Sequence, residues 1–314
     1  MVCLLRALNL DTDAARYVAL VNTVESEPTT VEREHERAQN FPTAGVRRLM
    51  VALDERGDIV GCSETVRRPN MAAGTWALGV IVAPESQRRG IGAQLYDDAS
   101  AFARARGATR LTCETREDLP NACRFAQARG FEMNRHIFES TLDLGSFDDT
   151  RFAGVIESVQ AQGIRFFTLA EAGNTAANQR KLHALNRRAA LDILGWEGEF
   201  PGFEDFSRYV FQASWFRAEG QIFAADGDRW VGLSAVGYFQ KTNATYNMHT
   251  GVEQEYRGRH IALALKLLAI RYARQCGAAY IRTNNDSQNA PILAINRKLG
   301  YAPQPGWYRW VRVL

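Results

Sequence analysis

The stretch "QRRGIG", Gln87–Gly92, stands between the apolar run "WALGVIV" and the helical sequence "AQLYDDASAFARARG". The same arrangement returns 170 residues later as "RGRHIA", Arg257–Ala262, between "YNMHTGV" and "LALKLLAIRYARQCG". Each copy predicts a strand, a corner containing arginines and small residues, and a long helix. Because the first backbone N–H groups of a helix have no partner within it, each corner predicts a site for a phosphate-bearing ligand.

The repeat extends well beyond the two corners. Val82 matches Val252, and the glycines that follow the predicted helices, Gly107 and Gly130, match Gly277 and Gly300 at the same offset. The register holds over about fifty residues, whereas a solenoid would repeat every 20 to 50 residues or so. The sequence therefore predicts a duplicated domain, with an N-terminal domain at 1–148, a linker helix at 149–163 and a C-terminal domain at 164–314.

Both halves predict the same order of elements. An opening strand ("CLLRALNL", "GIRFFTL") precedes helical sequence with apolar residues at helical spacing. Two alternating strands joined by a turn rich in Asp and Gly follow, and then come the strand, corner and long helix already described. A further strand ("TRLTCET", "AYIRTNN"), a shorter helix and closing strands complete each half. This order indicates a mixed α and β fold.

Length, charge and cysteine content narrow the function classes. At 314 residues the chain is long enough for two domains that each close a core. A net charge of +3, with acids and bases interspersed, gives no electrostatic argument for nucleic acid or membrane as a partner. The five cysteines are scattered and never spaced as CxxC, which favours a reducing cytoplasm over a disulfide framework or a metal site. We expect a monomer or a homodimer.

The corner pattern Gln87-x-x-Gly90-x-Gly92 resembles the acyl-CoA loop of the GNAT superfamily of N-acetyltransferases. In the second copy, Arg257-x-x-His260-x-Ala262 follows the pattern except that His260 stands where glycine is expected. The segment "TNNDSQNAPILAINRKLGY" is similar to the family's sequence after the fifth strand. The resemblance implies an α+β chain of two tandem GNAT folds, each a mostly antiparallel, centrally splayed mixed sheet flanked by helices.

The resemblance also implies acetyl-CoA as cofactor and small-molecule amine as substrate. Backbone amides at the end of the fourth strand would hold the pantetheine arm and polarise the acetyl carbonyl, as an oxyanion hole does. The loop and the next helix would hold the diphosphate, and asparagines of the second half would contact the arm. The cofactor-binding residues predicted in this way are Val80, Ile81, Val82, Gln87, Arg88, Arg89, Gly90, Ile91, Gly92, Ala93, Thr250, Gly251, Val252, Arg257, Gly258, Arg259, His260, Ile261, Ala262, Asn285 and Asn289.

Amine acetylation benefits from a base, because an amine with a pKa of about 10.4 is almost entirely protonated at pH 7. The strand "YNMHTGV" and the residue after it offer Tyr246, His249 and Glu253, whereas "WALGVIV" has no ionisable group, so the second half is predicted to be catalytic. Strand alternation puts Tyr246 and His249 on opposite faces unless a bulge intervenes. His249 is alternatively a structural histidine, and the tyrosine that the family places four residues before "GF" is replaced by Ala126 and Asn296.

Substrate is expected to enter over "LDILGWEGEFPGFEDF", where acids alternate with aromatics and suit a cationic, partly apolar amine. The predicted substrate residues are Trp196, Glu197, Glu199 and Phe200, although helix capping and core packing explain the same composition. The first-half counterpart, "ESEPTTVEREHERAQNF", predicts a solvated helix. Two function classes remain: an N-acetyltransferase for an amino sugar, polyamine, antibiotic-like molecule or peptide amine, or a non-catalytic acyl-CoA-binding scaffold.

Overall fold

The computed structural model describes residues 3–25, 28–192, 199–240 and 242–314, which divide into two compact units. Unit 1 contains the described residues up to His136 and the C-terminal segment Trp307–Leu314, and residues 199–201 group with it. Unit 2 contains the described residues 137–192 and 202–306. Each unit is a mixed sheet with helices against it, as the resemblance implied.

Unit 1 has six strands in the order β1-β2-β3-β4-β5-β13, antiparallel except for the parallel pair β4–β5. Its elements are β1 (Leu4–Ala7), α1 (Leu10–Val21), α2 (Val31–Gln39), β2 (Val46–Leu53), β3 (Ile59–Arg67), β4 (Thr75–Val82), α3 (Ile91–Arg104), β5 (Arg110–Arg116), α4 (Pro120–Gln127) and β13 (Trp307–Val313). Helices α1 and α3 cover opposite faces of the sheet. Cys62 packs against α1, whereas the backbone at Gly61 faces Leu95 of α3.

Unit 2 repeats this plan in the order β7-β8-β9-β10-β11-β6, with β12 beside β6 and β10–β11 as the parallel pair. Its elements are β6 (Glu132–Asp143, which enters the unit at Ile137), α5 (Val155–Gln160), β7 (Ile164–Thr168), α6 (Leu169–Ala172), α7 (Ala176–Leu191), α8 (Phe203–Phe206), β8 (Gln221–Asp226), β9 (Arg229–Phe239), β10 (Ala244–Val252), α9 (Ile261–Gln275), β11 (Tyr280–Asp286), α10 (Ala290–Leu299) and β12 (Ala302–Pro303). A π-helix, Ser207–Phe211, continues α8.

The last strand of each unit comes from the other half of the sequence. Strand β13, at the C-terminus, pairs with β5 of unit 1, and β6 of the first half pairs with β11 of unit 2. The register is the same in both places, since Thr115 pairs with Tyr308 as Asn285 pairs with Phe138. The compact units therefore differ from the contiguous division predicted at 148 and 163, and the segment predicted as a linker helix contributes α5 to unit 2.

The core of unit 2 is an extended cluster around α9. Ten residues of this helix are buried, among them Leu265 and Ile270, and they pack against β8, β9 and α5. In unit 1 the buried residues form separate clusters beneath α1, α3 and α4. Packing of this kind fixes the strands whose ends build the site described next.

Candidate active site

Strands β4 and β5 separate part-way along their length, and so do β10 and β11. The parallel pairing of β4 with β5 ends at Ala77↔Thr112, while β4 continues to pair with β3 up to Val82. In unit 2 the pairing of β10 with β11 ends at Tyr246↔Arg282, while β10 pairs with β9 up to Val252. The central splay predicted for both halves is therefore present, and the predicted backbone amides of both fourth strands lie beyond the point of divergence.

The corner after each splayed strand contains two left-handed residues. In unit 1 these are Arg88 (φ 63°) and Gly90 (φ 85°), and in unit 2 they are Gly258 (φ 79°) and His260 (φ 62°). Left-handed backbone favours glycine because a Cβ atom crowds the adjacent carbonyl. The left-handed backbone thus explains why the family pattern has glycine at this position. His260 adopts the same conformation, which costs conformational free energy because histidine has a Cβ atom.

Helices α3 and α9 begin at these corners with open N-termini. Neither Gly90 nor His260, the N-cap residues, places a side chain on the first N–H groups, and His260 is exposed. Uncapped N–H groups and the helix dipole favour an anion such as a diphosphate. A Cβ on Gly92 would lie 3.2 Å from the Phe125 ring, so this glycine keeps the first turn of α3 close to α4. These features fit the phosphate-bearing end of a coenzyme in both units.

One side chain in each corner holds the loop against the end of its strand. Gln87 donates to the carbonyl of Val82 at 3.2 Å, and Arg257 donates to the carbonyl of Val252 at the same distance. Arg257 also pairs with Asp192 at 2.5 Å. The first residue of each corner pattern, glutamine or arginine, therefore makes the same hydrogen bond to the end of the preceding strand.

The remaining arginines of the corners differ between the units. Arg259 donates to the side chain and the backbone carbonyl of Gln162, two residues after the end of α5. Arg88 and Arg89 of unit 1 are exposed. The predicted cofactor residues of the two corners thus lie together at the helix N-termini. In unit 2, Arg257 and Arg259 also hydrogen-bond to the backbone and hold the loop in place.

Strand β10 contains a β-bulge that β4 lacks. Asn247 pairs with Val236 and His249 pairs with Ala235, so that Met248 is the extra residue. Tyr246 is opposite Gly237, which lies on the same face of β9 as Ala235. The bulge therefore brings Tyr246 and His249 onto one face of the sheet, which is the condition that strand alternation set for both to line one cleft.

His249 is half-buried on this face beside α7, with its Nε2 atom enclosed. Its Nε2 atom has no hydrogen-bond partner among the described residues, and the ring lies close to Gly251 and near Ala189 of α7. Burial lowers the pKa of His249 to about 4, because the charged imidazolium would lose its hydration. The imidazole is therefore neutral at physiological pH and keeps one nitrogen able to accept a proton.

Tyr246 reaches from β10 towards β11 across the opening of the splay. The backbone of Asn284 hydrogen-bonds its hydroxyl, and the guanidinium of Arg282 lies 6.0 Å from the centre of its ring. Burial and the nearby Glu139 carboxylate raise the pKa of Tyr246, so the phenol stays protonated. Arg282 and Glu139 form a buried ion pair beside it. Tyr246 can therefore donate a proton but is not a base at neutral pH.

Glu253 is engaged in two ion pairs just beyond the end of β10. One carboxylate oxygen lies 2.6 Å from Arg188 of α7, and the other lies 2.6 Å from Arg229 of β9. Its side chain is only 10% exposed. Both carboxylate oxygens of Glu253 thus hold cations at the strand end, and its role as a base stays a prediction.

The predicted asparagines divide between two structural roles. Asn285 is buried, donates to Ser140 of β6 at 2.8 Å and accepts from Asn296 at 2.6 Å. Its amide is thus directed into the interior, which disagrees with the predicted contact to the pantetheine arm. Asn289 is the N-cap of α10, where its side chain accepts from the N–H of Ile292. Asn296, at the family's tyrosine position, is buried and offers no ionisable proton.

Of the predicted substrate residues, Trp196 and Glu197 lie outside the described residues. Glu199 is exposed and Phe200 is half-buried, and both group with unit 1 rather than with the unit for which they were predicted. The first-half helix predicted to be solvated, α2, is not fully so. Glu34 is 1% exposed and pairs with Arg37 and Arg47. Charged residues run along the whole helix, so the sequence pattern alone did not indicate that the Glu34 carboxylate is buried.

Comparison with known proteins agrees with this geometry. The model of the acetyltransferase (GNAT) family matches residues 15–131 and again residues 189–301. The chain belongs to this family. GNAT acetyltransferases take the acetyl group from acetyl-CoA, which is the coenzyme of this chain, and the uncapped helix ends and splayed strands of both units fit it. Its bound thioester supplies the acetyl group and the thiol leaving group.

Two curated relatives share most of their length with the chain. A protein of Saccharomonospora viridis named mycothiol acetyltransferase is 25% identical over 258 residues, which cover 79% of this chain and 74% of the relative. One of the same name from Thermobifida fusca is 24% identical and covers 71% of this chain and 70% of its own. Both matches extend over parts of both halves of this chain.

Solved structures show the same fold. A tandem GNAT protein from the clavulanic acid biosynthesis pathway superposes with a TM-score of 0.78 over 99% of this chain and 98% of its own, at 20% identity. A GCN5-related N-acetyltransferase from Sphaerobacter thermophilus gives 0.74 over 99% and 95%, at 17% identity. Within the described part of the chain, no helix is both long and apolar enough to cross a membrane.

Proposed function

We propose that this acetyltransferase transfers the acetyl group of acetyl-CoA to the primary amine of a small cationic molecule, and that unit 2 is catalytic. The observation that carries the proposal is the bulge at Met248, which places Tyr246 and the unpartnered Nε2 of His249 on one face beside the splay. Unit 1 has no bulge at the corresponding place and has Gly79 there. The name of the curated relatives, mycothiol acetyltransferase, supports acetyl transfer as the reaction.

His249 accepts the proton that the acceptor amine must lose. The imidazole is neutral, and its Nε2 atom has no hydrogen-bond partner among the described residues, so this nitrogen is the one that takes the proton. Tyr246 keeps its proton and orients the acceptor through its hydroxyl, whose position is fixed by the backbone of Asn284. With Asn296 at the family's acid position, the departing thiol takes its proton from solvent, which a thiol pKa of about 8.5 permits.

A cationic and partly apolar acceptor is favoured by the aromatic residues on this face. The indole of Trp215 packs over Gly237, directly opposite Tyr246, and the bulged Met248 contacts the same glycine from the adjacent strand. Aromatic faces attract ammonium groups, and thioethers adapt to apolar ligands of different shapes. These contacts support an amino sugar, a polyamine or an antibiotic-like amine.

The test is thiol release from acetyl-CoA with a panel that contains glucosamine, spermidine, an aminoglycoside and a peptide with a free N-terminus. We expect turnover with at least one small amine and a drop in kcat of about tenfold to a hundredfold in His249→Gln, the range of a lost general base. The control is His35→Gln on α2. Turnover with the peptide alone would overturn the acceptor class. Coenzyme binding without turnover on any amine would favour the scaffold.

A further inference from the structure

The sheet of unit 1 contains a carboxylate at the position that corresponds to the His249 region of unit 2. In unit 1, three residue pairs before the end of β4, Glu64 of β3 is opposite Gly79. The matching pair in unit 2, counted from Val252, is Ala235 opposite His249. The ionisable group of unit 1 therefore lies on the neighbouring strand, whereas in unit 2 it lies on the splayed strand.

Open space adjoins this carboxylate. A Cβ atom built on Gly79 would have no neighbour within 4 Å, whereas the equivalent space in unit 2 is filled by the His249 ring. Gly79 is two residues past Ala77, the last residue of β4 that pairs with β5. The space thus lies at the opening of the splay, next to the backbone amides of Val80 to Val82.

Glu64 is held in place by a network that leaves it accessible. Its Oε1 atom lies 2.6 Å from Nε of Arg47, and Arg47 also reaches Glu34 at 3.5 Å. Arg47 is 9% exposed and Glu34 is 1% exposed, whereas Glu64 is 32% exposed. Because the buried arginine is fixed between two carboxylates, Glu64 has a defined position before any ligand arrives.

The charges of this network favour a cation at Glu64. The charges of Arg37 and Arg47 balance those of the two glutamates. Arg37, however, is 49% exposed, so water screens its positive charge. Burial raises the pKa of the Tyr17 phenol, and the nearby carboxylates of Glu64 and Glu34 raise it further while Arg47 opposes them. A primary ammonium group is small enough for the space beside Gly79 and provides the positive charge.

The coenzyme corner of unit 1 is the less altered of the two. It has Gly90 where the family pattern expects glycine, whereas unit 2 has His260 at the matching position. A Cβ on Gly90 would meet nothing within 4 Å, so the approach to the helix N-terminus is unobstructed. Unit 1 thus combines an intact coenzyme corner, a splay and a positioned carboxylate.

We propose that unit 1 is a second acetyl-transfer site, in which Glu64 binds the ammonium group of a cationic primary amine in the space beside Gly79. The proposal rests on the proposed reaction but not on unit 2 being catalytic. The acceptor nitrogen gives one proton to Glu64 and forms the amide bond to the acetyl carbon, while the thioester C–S bond breaks. The thiolate of coenzyme A takes up the second proton of the nitrogen, and Glu64 releases its proton to solvent.

The experiment uses the full chain with His249→Gln as background, spermidine and glucosamine as acceptors, and thiol release as the readout. We expect His249→Gln to retain turnover and His249→Gln/Glu64→Gln to lose at least about a hundredfold of it. The side-chain oxygen of glutamine still accepts from Arg47, so the variant keeps this hydrogen bond and loses only the charge. The matched control is His249→Gln/Glu55→Gln, in the exposed β2–β3 turn. A second variant, Gly79→Leu, fills the space without changing any charge and is expected to give the same loss.

Equilibrium binding separates this inference from the proposed function. Calorimetry of spermidine with the native chain, saturated with a desulfo analogue of coenzyme A, is expected to show a site that is lost in Glu64→Gln and kept in His249→Gln. Unchanged binding in Glu64→Gln, or residual turnover of the double variant within twofold of the His249→Gln background, overturns the second site. Full turnover in His249→Gln that Glu64→Gln abolishes overturns only the assignment of catalysis to unit 2.

Discussion

The imidazole of His249 occupies the space that any side chain at position 251 would need. A Cβ atom on Gly251 would lie 2.7 Å from Nε2 of His249 and 2.8 Å from the Cβ of Ala189. Ordinary strand alternation is the reason, because His249 and Gly251 are two residues apart with no register shift between them and so face α7 together. Glycine at this position therefore leaves room for the half-buried His249 ring beside the splay.

Gly251→Ala is expected to displace either the His249 ring or helix α7. Overpacking of this kind costs about 1–3 kcal/mol in the free energy of unfolding. The matched control is Gly79→Ala, where the same added methyl group meets open space and stability is expected to stay within about 0.5 kcal/mol. Denaturant unfolding of both variants measures this difference, and equal effects would contradict the packing argument.

His260→Gly is expected to stabilise unit 2 by up to about 1 kcal/mol, because His260 has a left-handed backbone without being glycine. Gly90→Ala introduces the same strain into unit 1, where no atom crowds the new methyl group, and is expected to destabilise by a similar amount. Thermal unfolding of the pair should show shifts of opposite sign. A loss of stability in His260→Gly would mean that the histidine ring makes a stabilising contact that outweighs its strain.

Trp310 is expected to stabilise unit 1, although it lies at the C-terminal end of the chain. It is 3% exposed within the cluster that contains Trp76 and Leu111, and its indole nitrogen donates to Thr115 at 2.7 Å. Trp310→Ala should cost about 3–5 kcal/mol. Hydrogen exchange should show loss of protection in peptides from α3 and β5 but not from α9. Equal loss in α9 would contradict the assignment of β13 to unit 1.

The exchange of final strands illustrates what the repeat could not reveal. Residues 307–313 match 137–143 at the same offset of 170, so contiguous and exchanged pairing give identical registers and identical hydrophobic patterns. The splay, the corner and the element order depend on local sequence and on the family pattern, and they were predictable. The strand that completes each sheet depends on connection geometry beyond the local pattern.

The site residues show the same division. The need for a bulge between Tyr246 and His249 followed from strand alternation, and the structure contains it. The sequence pattern did not indicate Glu64 as a candidate, because the base was expected on the splayed strand and this carboxylate lies on the antiparallel neighbour. The pairing of Glu64 with Gly79 depends on how strands β3 and β4 align in the folded sheet. The burial of Asn285 against Ser140 likewise depends on the exchanged strand β6, which the sequence order does not indicate.

Lys266 gives the fold of unit 2 a dependence on pH. This lysine of α9 is 1% exposed, its Nζ has no hydrogen-bond partner among the described residues, and it lies 4.6 Å from the centre of the Tyr301 ring. Burial lowers the pKa of Lys266 to about 7 from an ordinary value of 10.5. Between these values the unfolded chain binds more protons than the folded one, so stability rises with pH from about 7 to about 10.5.

Lys266→Met is expected to remove this slope and to stabilise unit 2 at pH 7. The shift corresponds to about 5 kcal/mol at most, and a methionine of similar length fills the same space without a charge to desolvate. Denaturant unfolding at pH 7, 8, 9 and 10 measures the difference between native chain and variant, which should shrink as pH rises. The exposed Lys298 provides the control, since Lys298→Met should leave the slope unchanged. A constant difference across this pH range would show that Lys266 keeps its proton in the fold.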